Sequence, residues 1–283
     1  MTLLMGAVAY DPKVVSIWTG FRSWLTRHQL SFDFVLYSNY ERQVEDLVAG
    51  RLHAAWNSPL AWERAQRLAR SEGRRVWPLV MRDTDQDLTS VVIVRADSSI
   101  ESPADLADRT VAVGAVDSPQ ATLIPLSYLR SLFITADPDI KILRHDIGVG
   151  LHGDHVGGER DAARALITGQ ADAACMLDAS HLLFTNDGTF PPGSVRVLAQ
   201  TPPYDHCNMT VVDTAPREPA LRFVELLRGM SYADPDIRPL LDLEGLRTWR
   251  PGRTTGYAQL TAAVDEGGFY DLAGGITVQD YWP

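Results

Sequence analysis

Cysteine is scarce in this chain of 283 residues: Cys175 and Cys207 are the only two. Two thiols cannot form a disulfide framework, so a reduced pair is expected, with a single bridge as the alternative. Basic clusters are also missing, and the formal net charge is −10. That excludes a nucleic-acid surface, because neutralising phosphates requires a basic stripe. No apolar stretch approaches the roughly 18 residues of a membrane span. The start "MTLLMGAVAYDPK" has no basic n-region and reads as a first strand rather than a signal peptide. A cytoplasmic chain is therefore expected, or an exported one whose signal was removed. The ending "VQDYWP" carries no tag and suits a natural chain end. There is neither an internal repeat of fixed period nor a low-complexity linker.

What the sequence does contain is an alternation of strands and helices. "LLMGAVAY", "FDFVLYS" and "HAAWNS" read as strands. "KVVSIWTGFRSWLTRHQ" carries apolar residues at helical spacing: Val14, Ile17, Trp18, Phe21, Trp24 and Leu25. "YERQVEDLVAGRL" and "PLAWERAQRLARSEG" are the next helices, the second with Pro59 in its first turn. A second βα series begins near residue 100 with "TVAVGA", "SPQATLIPLSYLRSLF", "IKILRHDI", "ERDAARALITGQ" and "ADAACML". Such a run predicts an α/β fold with largely parallel sheets. The extended segments "TSVVIVRAD" and "AQTPPYDHCNMTVV" then read as two short crossovers between two lobes. Residues 1–92 with 208–283 form lobe one, and residues 93–207 form lobe two.

The order and spacing of six fragments are specific: "YDPKVVSIWTGFRSWL", "ERQVEDLVAGRLHAAWNSPLAW", "LTSVVIVRADSSIESPADLADRTVAVG", "DSPQATLIPLSYL", "ERDAARALITGQADAA" and "TPPYDHCNMTV". Together they resemble the substrate-binding proteins of phosphate, phosphite and phosphonate ABC transporters, over nearly the whole chain. The resemblance implies the type II periplasmic-binding-protein fold, a ligand cleft closed by hinge motion, a small anionic ligand, a permease partner if the protein is exported, and a monomer. It implies no cofactor. Two departures stand out. Where members that bind phosphonate carry a Ser-Thr-Ser cluster, this chain has Ser118, Pro119 and Gln120. Where they carry a histidine before the next helix, it has Glu159 and Arg160. Arg160 is suited to hold a carboxylate or phosphate through paired N–H bonds.

Ligands of open α/β sheets sit at strand carboxyl ends and helix N-termini. Tyr10, Asn57 and Ser58 follow strands of lobe one, and Ser118, Gln120 and Thr122 open a helix of lobe two. All six are candidate ligand contacts. Helix capping is the alternative for Asn57, Ser58 and Ser118, and an ordinary strand-end aromatic is the alternative for Tyr10. Asp178 approaches the ligand from lobe two by the same resemblance. The loop "RHDIGVGLHGDHVGGER" holds His145, His152 and His155 with Asp146 and Asp154. Its residue types could ligate a metal, but the helical spacing of a metalloprotease motif is absent. A lid carrying His155 or Arg160 over the ligand is expected instead, and no metal. Trp18, Trp24, Trp56, Trp62, Cys175 and His181 read as packing residues.

The second crossover carries "PPYDHCNM", residues 202–209. Tyr204 is expected at the mouth of the cleft. Asp205, His206 and Cys207, with His155, are the catalytic candidates if the protein is an enzyme. Side chains alternate along an extended chain, which argues against a dyad of His206 with its neighbour Cys207. Two functions remain open. One is a binding protein or sensor for a carboxylate or phosphonate-like anion. The other is a cytoplasmic lyase on the same scaffold, which also resembles chorismate dehydratase and dihydroxyphthalate decarboxylase, using general acid–base catalysis on a small carboxylate.

Overall fold

The computed structural model describes residues 1–132, 140–153, 158–279 and 281–283. The chain runs β1 (Leu3–Val8), α1 (Lys13–Arg27), β2 (Phe32–Tyr37), α2 (Tyr40–Val48), β3 (Ala54–Asn57), α3 (Pro59–Ser71), β4 (Val76–Pro78), β5 (Val80–Arg82) and β6 (Ser90–Arg95). It continues through β7 (Thr110–Val113), a π-helical turn Pro119–Leu123, α4 (Ile124–Leu132), β8 (Lys141–Arg144), α5 (Gly158–Ile167), β9 (Ala173–Leu177), α6 (Asp178–Asn186) and β10 (Val195–Gln200). The last elements are β11 (Asn208–Val212), α7 (Arg217–Gly229), α8 (Arg238–Glu244), β12 (Trp249–Pro251) and α9 (Ala258–Gly267).

Local chemistry sets the helix starts. Asn39 accepts the Arg42 N–H at the head of α2, and Ser58 accepts the Ala61 N–H at the head of α3, where Pro59 occupies the first turn. α1 buries the apolar stripe expected of it.

Two five-stranded sheets result, ordered β2-β1-β3-β11-β4 and β10-β6-β9-β7-β8. Parallel pairing holds for β1 with β2 and β3, and for β7 with β8 and β9. The expectation of largely parallel sheets needs correction, because β6 and β11 run antiparallel to their neighbours. These are the strands that carry the chain between lobes, and each enters its sheet from the opposite direction to the βα series. β6 lies wholly in the second sheet, so the expected division at residue 92 falls inside it. The two crossovers meet in an antiparallel bridge of Leu88 with Tyr204, each N–H reaching the other's carbonyl at 2.8 Å.

Lobe one packs Trp18, Phe21, Trp56 and Trp249 into a single aromatic core, with Phe32 stacked on Phe223 at 5.5 Å. Trp24 and Trp62 are buried too, and Cys175 lies in the core of lobe two. Burying such aromatic area contributes roughly 2 kcal/mol or more per residue. α9 touches both lobes. Its Leu260 and Val264 join Leu60 and Ile124 in one cluster. Asp265 pairs with Arg67 of α3 at 2.7 Å, and Glu266 accepts from Ser127 of α4 at 2.7 Å. Among the described residues no helix is long and apolar enough to cross a membrane.

Candidate functional site

A cavity of about 500 Å³ opens between the lobes. Lobe one contributes Lys13 from the first turn of α1, the Arg82–Asp85 turn after β5, His206 from the second crossover, and the end of α8. Lobe two contributes Gln120 of the π-helical turn, Gly153, and the first turns of α5 and α6 through Glu159, Arg160 and Ser180. Three helices thus present their N-terminal turns to one space. Their dipoles favour negative charge there. Leu183, Phe184 and Leu243 make the mouth apolar.

On the lobe-one wall, Arg82 grips Asp85 with two bonds of 2.6 and 2.8 Å and stands over the Trp56 ring. Burial pushes the Asp85 carboxyl up, but the Arg82 charge and its hydrogen bonds prevail and hold it at about 2. His206 Nδ1 lies 3.1 Å from Cys207 Sγ and 3.5 Å from Asp85 Oδ1. The two side chains, expected to point apart by alternation, are therefore in contact. Both residues precede β11, where the chain is not regular strand, so alternation does not keep the two side chains apart. Asp85, His206 and Cys207 bring three potential ligand atoms within 4.8 Å of one another. Arg82 already supplies the cation at that carboxylate, which disfavours a metal beside it.

On the lobe-two wall, Glu159 is 8% exposed. Burial raises its carboxyl above the ordinary range, opposed by donors from Ser180, the Leu177 N–H and Gln120, and by the His206 charge. The Gln120 amide donates to the Gly153 carbonyl at 2.9 Å, and its Oε1 is buried without a partner among the described residues. Gly153 has φ +72, and a Cβ there would overlap the Ser118 hydroxyl and the Gln120 amide.

Beside the cleft lies a fully enclosed polar cluster. His152, on the loop after β8, bonds Ser58 Oγ through Nδ1 at 2.6 Å and Glu41 Oε1 through Nε2 at 2.9 Å. Its ring stacks on Tyr40 at 4.7 Å. Tyr270 and Tyr281 donate to the same Glu41 oxygen at 2.9 and 2.6 Å. Asp117 holds the loop from lobe two, accepting the Gly150 and His152 N–H groups at 2.6 and 3.2 Å. Burial pushes Glu41 up, yet attraction and hydrogen bonding to His152, with Tyr281 and Arg64, bring it down to about 2. A lobe-two residue is thus anchored inside lobe one.

Of the expected ligand contacts, Gln120 and Arg160 line the cleft, and so does the catalytic candidate His206. Arg160 is partly committed, since its Nη1 reaches Asp187 at 2.8 Å and Thr189 at 2.6 Å while its guanidinium stacks on Phe184. Ser58 and Ser118 cap their helices, and Ser58 also holds His152. Asn57 is locked between Gln43 and Thr210 at 2.9 Å each. Tyr10 packs on the lobe-one core with Lys13 over its ring. Asp178, the first residue of α6, is not on the cleft wall. Thr122 faces a different groove, between α4 and α9. Tyr204 is buried and shares a 2.7 Å bond with Ser90. Asp205 is buried as well, forked by Arg253 at 2.6 and 2.5 Å, so it joins the crossover to the C-terminal segment. Cys207 belongs to the lobe-one core at 2% exposure. His155 and Asp154 lie outside the described residues. Lys13, Asp85 and Ser180 were missed by sequence reasoning. Lys13 alone left a signal, as a cation at the head of a predicted helix.

Comparison with known proteins gives one family match. The family described as "ABC transporter, phosphonate, periplasmic substrate-binding protein" matches residues 7–257. No curated protein matches. Among solved structures, PhnD1 from Prochlorococcus marinus (MIT 9301), in complex with methylphosphonate, is 14% identical with a TM-score of 0.67, covering 94% of this chain and 97% of that one. XAC2383 from Xanthomonas citri, bound to chloride, is 18% identical with a TM-score of 0.70, covering 94% and 98%. The aliphatic sulphonate binding protein SsuA from Escherichia coli is 16% identical with a TM-score of 0.55, covering 92% and 89%. These likenesses show the type II periplasmic-binding-protein fold.

Proposed function

This chain belongs to the periplasmic phosphonate substrate-binding family of ABC transporters, and from that premise we propose that it holds a small oxyanion in the cleft between its lobes. One observation carries the reading: the first turns of α1, α5 and α6 meet in a cavity of about 500 Å³ with Lys13 and Arg160 on its wall. The relatives bound to methylphosphonate and chloride support an anion. The apolar mouth suits a small organic substituent on it. Cys207 packs in the core rather than on the cleft wall, which favours binding over the lyase alternative. Hinged lobes divided near residues 90 and 208, a periplasmic station, a permease partner and a monomeric state are parts of the same proposal. Cell fractionation of the untagged protein tests the station.

The ligand is tested by thermal shift with phosphate, methylphosphonate, methanesulfonate and small carboxylates. At least one oxyanion should raise the melting temperature in a saturable way. Arg160→Ala should weaken that ligand by about three- to tenfold, the modest loss expected for a cation at the cleft mouth. No shift with any oxyanion would remove the proposal.

A further inference from the structure

An anion entering this cleft meets acceptors as well as donors. Glu159 sits in the first turn of α5, buried, and among the described residues no cationic side chain pairs with it at salt-bridge distance. Gln120 Oε1 on the same wall is buried and unpartnered. The charged groups facing this wall from lobe one are His206, the Arg82–Asp85 pair, Lys13 and the acidic end of α8. Arg82 is spent on Asp85 and on the Glu244 carbonyl. An unprotonated anion placed against Glu159 would therefore set two negative charges together in a poorly solvated space, while leaving the Gln120 oxygen without a donor. A single proton between ligand and carboxylate removes the repulsion, which becomes a charge-assisted hydrogen bond.

Resting on the proposed oxyanion site, we infer that Glu159 makes the cleft select oxyanions able to share a proton, such as phosphonates, over sulfonates, which remain fully ionised. The proton comes from the ligand where the ligand carries one, and otherwise from solvent onto Glu159. Burial raises the Glu159 carboxyl above its ordinary range, and a ligand that brings its own proton spares the cost of drawing one from solvent. A sulfonate meets a carboxylate in one state and must draw a solvent proton in the other, with no means of sharing its own. Sites built around a hydrogen bond reject an analogue lacking it more strongly than sites built on shape.

Calorimetric titration of the full chain with methylphosphonate and methanesulfonate tests the inference, since the two are tetrahedral anions of similar size. The intact protein should prefer methylphosphonate by roughly tenfold or more, and Glu159→Gln, whose amide donates, should bring the two affinities within roughly threefold. Equal affinities in the intact protein, or an unchanged ratio in the variant, would overturn the inference. A second measurement needs no variant. On the alkaline side, where methylphosphonate is the dianion, titrations in buffers of different ionisation heat should show net proton uptake; none would equally overturn it. Failure of both anions to bind is a separate outcome, and it would remove the oxyanion site itself along with this inference.

Discussion

His152→Ala should cost about 3 kcal/mol of folding stability, because it strips a hydrogen-bond partner from the buried Glu41 carboxylate. The variant deletes the bonds to Ser58 and Glu41 and the stacking on Tyr40. It leaves Glu41, 4% exposed, with two tyrosine hydroxyls and the more distant Arg64. A second route gives the same size. The gap between the ordinary 4.5 and the value of about 2 held in the fold corresponds to about 3 kcal/mol, much of it from His152. The sign follows from a depressed carboxylate: the stabilisation is complete above about pH 4.5 and is lost as pH falls toward about 2. Urea denaturation at neutral pH and at pH 3 reads both effects. The intact protein should lose part of this stability at pH 3, and the variant should have less of it to lose. A loss below about 1 kcal/mol at neutral pH would refute the reasoning, because surface-like pairs are worth no more than that. Pairing His152→Ala with Glu41→Gln in a double-mutant cycle should give a coupling above about 1 kcal/mol.

Asp85→Asn should destabilise by about 3 kcal/mol or more in denaturant melts, since Arg82 would keep a buried charge with a weakened partner; a loss under about 1 kcal/mol would contradict the buried-pair reading. Asp205→Asn should lower stability by about 2 kcal/mol through its fork with Arg253. It should leave oxyanion affinity of the folded protein unchanged, and a large loss of affinity would return Asp205 to the cleft. Thr122→Val should be neutral or stabilising by roughly 0.5–1 kcal/mol, because its buried hydroxyl has no partner among the described residues; clear destabilisation would reveal a hydrogen bond not accounted for.

Much of the architecture was legible in local pattern. The helical stripe of Val14, Ile17, Trp18 and Phe21 and the capping signals at Ser58–Pro59 and Ser118–Pro119 depend on neighbours in sequence, and these elements formed where the pattern placed them. The site was harder. Asn57 follows a lobe-one strand as a ligand contact should, but its amide is consumed by Gln43 and by Thr210, 153 positions away. Asp205 sits on the expected crossover yet faces Arg253 rather than the cleft. No spacing rule could have joined Glu41 to Tyr281 across 240 positions, so the enclosed His152 cluster left no sequence signal. Alternation misled at His206 and Cys207 because they lie outside the regular strand to which the rule applies. Arg160 and Gln120 were found by the rule that ligands collect at helix N-termini, and they line the cavity.

Amide chemical-shift mapping during a titration with methylphosphonate tests the central claim most directly. Saturable shifts should concentrate at Lys13, Gln120, Glu159, Ser180 and His206, on both walls of the interlobe cavity. Shifts confined to the groove between α4 and α9 around Thr122, or no shifts with any small oxyanion, would contradict it.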